Sequence, residues 1–326
     1  MSKTTTQKSS STTAIIFAVF AVVCVVAFLF YRGSDIGQLP KLIGNLGGGP
    51  LFGTGIIDAV IGVVAASLIC QSWFGLGSAV LNAFPPLRID RMRDTVATTI
   101  GIAIWSFVWF FLGLFDLYSS TTAIAMLLIG LPLAIYTQSK QPSVIEIARS
   151  DNFSNKELVT IAATLLPLGL VIITALAPPT AKDTLLYHFA LPKAFIAQHS
   201  NAFIDGNIAS YLAMGTEMQY VWAMLLGNIF SARAGEAAAG AVGFLFFAGL
   251  LRGAYRWAKE IGIMRHMSML VILAIASIPT AYHVASSGYI DLSLALYITL
   301  AAYGLTRWWK QSAPPSAMPS ARRSVL

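Results

Sequence analysis

Apolar runs of bilayer-crossing length recur along this chain, and a chain so built cannot fold as a water-soluble globule. A helix needs about 20 largely apolar residues to cross the hydrocarbon core. Runs of that order read at 14–31, 56–82, 96–115, 121–137, 159–178, 234–255, 267–286 and 289–308. All are expected as helices, because an isolated strand leaves its backbone polar groups unsatisfied in lipid. The expected fold class is therefore all-α: a polytopic membrane helix bundle of about eight transmembrane helices. Composition agrees, with 56% hydrophobic and only 11% charged residues, against roughly 25% charged in a soluble domain. A soluble enzyme, a disordered chain and a coiled coil are all excluded. The first run exits through Tyr31-Arg32-Gly33, which lacks a small-x-small cleavage pattern, so it is expected as an uncleaved anchor. Cys24 and Cys70 fall inside apolar runs and read as small buried hydrophobes.

A net charge of +7 invites a nucleic-acid reading. The placement of the cations argues against it, because they sit in short loops between apolar runs and form no basic face. Their distribution also decides a doubtful stretch, Glu217 to Phe230, which is short for a span and begins with a carboxylate. If that stretch does not cross, one side collects Lys3, Lys8, Arg88, Arg91, Arg93, Lys140, Arg149 and Lys156. The same side also holds Arg252, Arg256, Lys259, Arg265, Arg307, Lys310, Arg322 and Arg323, or 16 of the 21 basic residues. If the stretch crosses, the split becomes 9 against 12. The positive-inside rule favours the first arrangement. The expected topology has both termini in the cytoplasm of a bacterial inner membrane. Residues 217–230 are then an interfacial or re-entrant helix. The longest loop, 179–216, lies outside with Asp183, Asp205, Glu217 and Asp291.

Three regions follow from this reading. Residues 1–158 form an N-terminal membrane region with four spans and a polar linker. Residues 159–310 form a second membrane module with interfacial helices in its long external loop. Residues 311–326 form a Pro/Ser-rich cytoplasmic tail expected to be disordered. The Gly-rich stretch 33–55 reads as a loop without Gly-Lys-Ser/Thr, so it is not a phosphate-binding loop. Pro85-Pro86 and the arginines after it read as a turn. Asp58, shallow in the second span, is expected in the hydrated headgroup zone.

The residues with chemistry gather on the expected outer face. Pro178-Pro179 stops a span and Asp183 follows within a few residues. A helix over about 183–191 would put Leu185, Leu186 and Phe189 on one side and Thr184 and His188 on another. Asp183 reads either as a functional carboxylate or as a simple N-cap. Tyr187 and Lys193 read as site residues or as interface anchors. His188 has no second His or Cys at ligand spacing, so no metal site is assigned. Glu217 heads the short apolar helix and Asp291 opens the last span. Each is either a pocket carboxylate or a favourable acid near a helix N-terminus.

Three segments in order carry a resemblance: Asp183-x-x-x-Tyr187-His188-x-x-x-Pro192-Lys193, Met214-Gly215-Thr216-Glu217-Met218-x-Tyr220, and Tyr289-Ile290-Asp291-Leu292. From Pro178 to about Tyr303 the chain resembles the GT-C superfamily of membrane glycosyltransferases. The likeness is nearest to bacterial relatives of protein mannosyltransferases and aminoarabinose transferases. The resemblance implies a polyprenyl-phosphate-sugar donor, membrane lipid as surroundings, and inverting transfer on the extracytoplasmic face. It implies Asp183 as the catalytic acid-base residue, with Tyr187, His188, Lys193, Glu217 and Asp291 binding substrate. Lys193, with His188 or Arg233, would neutralise the leaving phosphate. Asp291 would position the acceptor or hold a divalent cation, a cofactor that the resemblance leaves open. Family members continue through further spans after the second acid, whereas one span follows here. The expectation is a truncated module, or one completed by a partner chain.

The readings that compete with catalysis are a transporter, a lipid-binding protein and a scaffold remnant. A transporter usually places its polar groups near the bilayer midplane. Here the spans are nearly free of charge and the acids lie at one face.

Overall fold

The computed structural model describes residues 11–38, 40–41, 54–84, 92–139 and 153–312. Among the described residues all regular structure is helical. The expected N-terminal tail, the Pro85-Pro86 turn and the C-terminal tail lie outside them, as do most of the Gly-rich loop and of the 138–156 linker. The basic residues of those segments, such as Arg88, Lys140 and Arg322, lie outside as well.

The long helices are α1 (Ser11–Gly37), α2 (Thr54–Ala83), α3 (Arg93–Leu114), α4 (Ser120–Ser139) and α5 (Asn155–Leu176). A π-helical turn (Thr184–His188), α6 (Ala190–Ala197) and a 3-10 turn (Ile208–Tyr211) follow. Then come α7 (Glu217–Gly227), α8 (Ala232–Glu260), α9 (Arg265–Ala276), α10 (Pro279–Ser286) and α11 (Asp291–Ser312). Among the described residues six helices are long and apolar enough to cross a bilayer, or seven if the bent α9–α10 pair makes one span. The protein is thus a membrane helix bundle with six to seven candidate spans among its described residues. The eighth expected span falls on α11, whose length suffices but whose composition, with Asp291, Arg307 and Lys310, does not.

Local chemistry sets the helix ends. Ser154 and Glu157 make a reciprocal capping box at the start of α5. Ser231 caps α8 by accepting from the backbone N–H of Ala234. The expected span 267–286 is not continuous, because α9 and α10 meet at 68°. Pro279 explains the break. It has no N–H to donate, and it holds the preceding Ile278 in an extended conformation (φ −69, ψ 119).

The helices alternate in direction, and small residues bring them close. A Cβ on Gly101 would lie 1.8 Å from the Trp73 carbonyl oxygen, and one on Gly240 would lie 1.9 Å from that of Ala175. Such contacts seat α3 on α2 and α5 on α8. Close backbone approach of this kind is how helices associate where lipid supplies no hydrophobic drive. One cluster of buried side chains runs from Phe28 on α1 to Leu296 on α11.

The helix α7 sits at the centre of this packing. All 11 of its residues are buried, and at 1.5 Å per residue it is about 16 Å long, too short to cross. Glu217 at its start meets the π turn. The turn after its end leads to Ser231, whose hydroxyl donates to Asp58 Oδ1 at the start of α2 (2.5 Å). The end of α7 therefore lies with the starts of α2 and α8 at one face of the bundle, called here the loop face, whereas its start lies deeper, with Tyr220 beside Gly243 of α8. Asp58 thereby ties the starts of α2 and α8 together. Gln219 braces the other side of α7. It accepts from the Trp73 indole N–H (2.8 Å), and its amide donates to Ser106 Oγ (2.9 Å) and to the Ile102 carbonyl (3.3 Å).

The opposite face carries paired charges. Arg265 donates to both oxygens of Glu157 (2.6 and 2.8 Å), Arg252 to Asp94 (2.7 Å) and Arg307 to Glu260 (2.8 Å).

Candidate functional site

The segment after α5 does not form the single helix expected over 183–191. It winds as a π turn from Thr184 to His188, closed by the Phe189 N–H donating to the Thr184 carbonyl (2.9 Å), and then restarts as α6. The wider turn changes which residues share a side. Leu185 and Leu186 stay exposed, whereas Phe189 turns inward with Thr184 and His188. The expected grouping of Phe189 with the two leucines is therefore corrected. Single π turns recur at functional sites, because the extra residue re-aims a side chain.

Docking against the turn between α10 and α11 holds this winding in place. The Thr184 hydroxyl donates to the Ser287 carbonyl. Gly288 has φ 71, and a Cβ there would lie 2.7 Å from the Phe189 ring. Backbone conformation and space both demand glycine at this position. The Tyr220 hydroxyl of α7 donates to the Tyr289 carbonyl (3.4 Å). Thr216 and Ser293 hydroxyls pair at 2.6 Å. The segments 183–193, 214–220 and 289–292 thus converge on one corner of the bundle.

Asp183 precedes the π turn, and its side chain makes no capping hydrogen bond. The N-cap reading of this residue is not what the structure contains. Its carboxylate instead lies close enough to Tyr187 to act on the phenol. Burial raises the phenol of Tyr187 above its ordinary pKa of 10.0, and the Asp183 charge adds to this, followed by Tyr289 and Asp291. One phenol therefore senses both Asp183 and Asp291, which are remote in sequence. Asp291 itself is exposed in the first turn of α11. Neither carboxylate enters an ion pair among the described residues.

His188 and Glu217 are placed differently. They are 5% and 2% exposed, with Nδ1 and Oε1 2.8 Å apart. Glu217 Oε2 is buried without a hydrogen-bond partner. The His188 ring lies between those of Tyr187 (4.2 Å) and Tyr289 (5.4 Å). Lys193 on α6 meets Glu236 on α8. Arg233 meets the same carboxylate (3.0 Å) and donates to the Leu176 carbonyl, which fastens the end of α5 to the start of α8. Glu236 was not anticipated from the sequence, although its spacing of three from Arg233 on a helix was a usable signal.

An apolar cavity of about 520 Å³ adjoins this corner. Phe107 and Phe110 of α3, Met214 and Met218, and Leu294 and Tyr297 of α11 line it, with Thr216 and Ser293 at its polar edge. Ile290, beside Asp291, also borders it. Among the described residues no group of three or more His, Cys, Asp or Glu side chains is gathered to hold a metal ion. The arrangement offers a half-buried carboxylate free of ion pairing, a second exposed carboxylate, and an apolar hollow alongside. Such a set suits proton abstraction next to a ligand with an apolar tail. Comparison with protein-family models, with curated proteins and with solved structures found no match to the chain.

Proposed function

We propose that this chain is a membrane glycosyltransferase of the GT-C kind, moving a sugar from a polyprenyl-phosphate donor to an acceptor hydroxyl. The loop face is extracytoplasmic in this reading, both termini are cytoplasmic, and the membrane is a bacterial inner membrane. The observation that carries it is the pairing of Asp183 and Asp291 around Tyr187 beside the apolar cavity.

In the proposed reaction the Asp183 carboxylate accepts the proton of the acceptor hydroxyl. The acceptor oxygen attacks the anomeric carbon and forms the new C–O bond with inversion. The bond from that carbon to the lipid phosphate oxygen breaks, and the phosphate leaves with the electron pair. Asp291 positions the acceptor, and the Tyr187 phenol sits beside the Asp183 carboxylate. The cavity takes the first isoprene units of the donor. Lys193 and Arg233 share the single carboxylate of Glu236, so one positive charge is left to face the departing phosphate. His188 and Glu217 support the site from behind, since their burial removes them from the substrate. No step runs through a metal. A partner chain that supplies further helices would complete the enclosure of the lipid tail.

The test is sugar transfer in proteoliposomes supplied with polyprenyl-phosphate-linked hexose and pentose donors. Transfer by the native chain, absent with Asp183→Asn, is the expected result. Equal transfer by both forms rejects the catalytic role. Saturable donor binding without transfer by either form favours a lipid-binding protein.

A further inference from the structure

We infer that the loop-face segment 201–212, with Leu185 and Leu186 beside it, is embedded in the adjoining lipid leaflet and anchors the site to the bilayer. The segment shows apolar side chains outward. Ile208 is 86% exposed and Leu212 63%, and Phe203 and Tyr211 are exposed too. In water a cluster of this size would be an aggregation hazard.

The segment is ordered by its own hydrogen bonds. The Asn207 side chain accepts from the Ala209 N–H (3.1 Å) and donates to the Leu186 carbonyl (3.1 Å). The Ser210 hydroxyl donates to the Asn207 carbonyl (2.8 Å) and accepts from the Ile204 N–H (3.1 Å). The Phe203 and Tyr211 rings stack at 4.2 Å. The apolar side chains are thus presented by a built scaffold.

Its depth follows from where it is tied. The Asn201 side chain donates to the Phe110 carbonyl (2.9 Å), and the Asn201 N–H to that of Gly113 (3.3 Å). Both carbonyls lie in the last turns of α3, a 22-residue candidate span. The end of such a span lies at the boundary of hydrocarbon and headgroups. Residues within a few positions of Asn201 are therefore at that boundary, where aromatic and aliphatic side chains partition favourably. Charge points to the same occupant. Between Lys193 and Glu217 the only acidic or basic side chain, histidine aside, is Asp205. The segment has no cations for anionic headgroups, so its attachment is to acyl chains.

This inference rests on the fold alone, and its test needs no activity. Ile208→Cys and Leu212→Cys are made separately in a chain carrying Cys24→Ala and Cys70→Ala. Each is labelled with a nitroxide and reconstituted in phosphatidylcholine vesicles. Collision rates with oxygen and with a water-soluble nickel chelate are then compared. Lipid burial predicts relaxation by oxygen several-fold stronger than by the chelate at both sites, unchanged by high salt. Stronger relaxation by the chelate places the segment in water and overturns the inference. Weak relaxation by both agents places it under protein, as in contact with a second copy, and overturns it equally. Asp205→Cys is the control for a folded loop, and the chelate should reach it better than either apolar site.

Discussion

His188 Nδ1 and Glu217 Oε1 are 2.8 Å apart, and this contact joins the π turn to the first turn of the buried helix α7. Both side chains are almost fully enclosed. Loss of the carboxylate leaves a buried imidazole without its partner, while Gln keeps an acceptor oxygen in the same place. Glu217→Ala should therefore destabilise by about 3 kcal/mol, in the range for breaking a buried polar pair. Glu217→Gln should cost about 1 kcal/mol. Unfolding midpoints of the detergent-solubilised protein measure the difference. Equal effects of the two changes would show that the contact is immaterial.

The Tyr187 phenol gives a direct report on Asp183. Burial is the largest cause of its raised pKa, and the negative charge of Asp183 is the next. A phenolate is disfavoured beside a carboxylate, so removal of that carboxylate eases ionisation. Asp183→Asn should lower the Tyr187 pKa and leave the part due to burial. The readout is alkaline difference absorbance between proteins with and without Tyr187→Phe, in both backgrounds. The unfolded chain ionises this phenol near pH 10 and the native chain only at higher pH. The contribution of Tyr187 to stability is thus whole below pH 10 and fades as pH rises through its raised native pKa.

The elements legible in the sequence were those set by local composition. Six of the expected spans fall on long apolar helices. The short stretch headed by Glu217 is indeed a helix too short to cross. Its complete enclosure was not legible, because that depends on Trp73, Ser106 and Ala123 from three other helices. The π turn was illegible for the same reason, since Ser287 and Gly288, distant in sequence, hold it. Pro279 did announce the break after α9, but a reading by apolar length runs straight through a single proline inside a long apolar stretch. The acids of the site were legible as a set. Their distinct surroundings were not, since Asp183 and Glu217 look alike in sequence while one is half-buried and the other sealed.

Packing between α2 and α3 depends on glycine at a contact point. A Cβ on Gly101 would meet the Trp73 backbone at 1.8 Å, which no side-chain rotation can relieve. Gly101→Ala should lower stability by about 2 kcal/mol, as overpacking does. Gly169 on α5 has no atom within 4 Å of its virtual Cβ. Gly169→Ala should be neutral or stabilising by up to about 1 kcal/mol, since Ala favours the helix. Thermal midpoints in one detergent give both values, and equal losses would contradict the close approach.

Orientation in the membrane is open to a labelling experiment with a determined sign. The described part of the face opposite the site carries Arg93, Arg252, Arg256, Arg265 and Arg307. Several of these pair with Asp94, Glu157 and Glu260. The positive-inside rule counts cations and gives acids little weight, so these pairings do not cancel the signal. That face should be cytoplasmic and the loop face extracytoplasmic. Asp205 on the loop face and Asn155 on the other are both exposed, and neither has a partner that a cysteine would disturb. In a chain lacking Cys24 and Cys70, Asp205→Cys should react with an impermeant maleimide on intact spheroplasts. Asn155→Cys should react only after the membrane is opened. The reverse pattern would place the acids in the cytoplasm, out of reach of a donor presented outside, and would remove the basis for extracytoplasmic transfer.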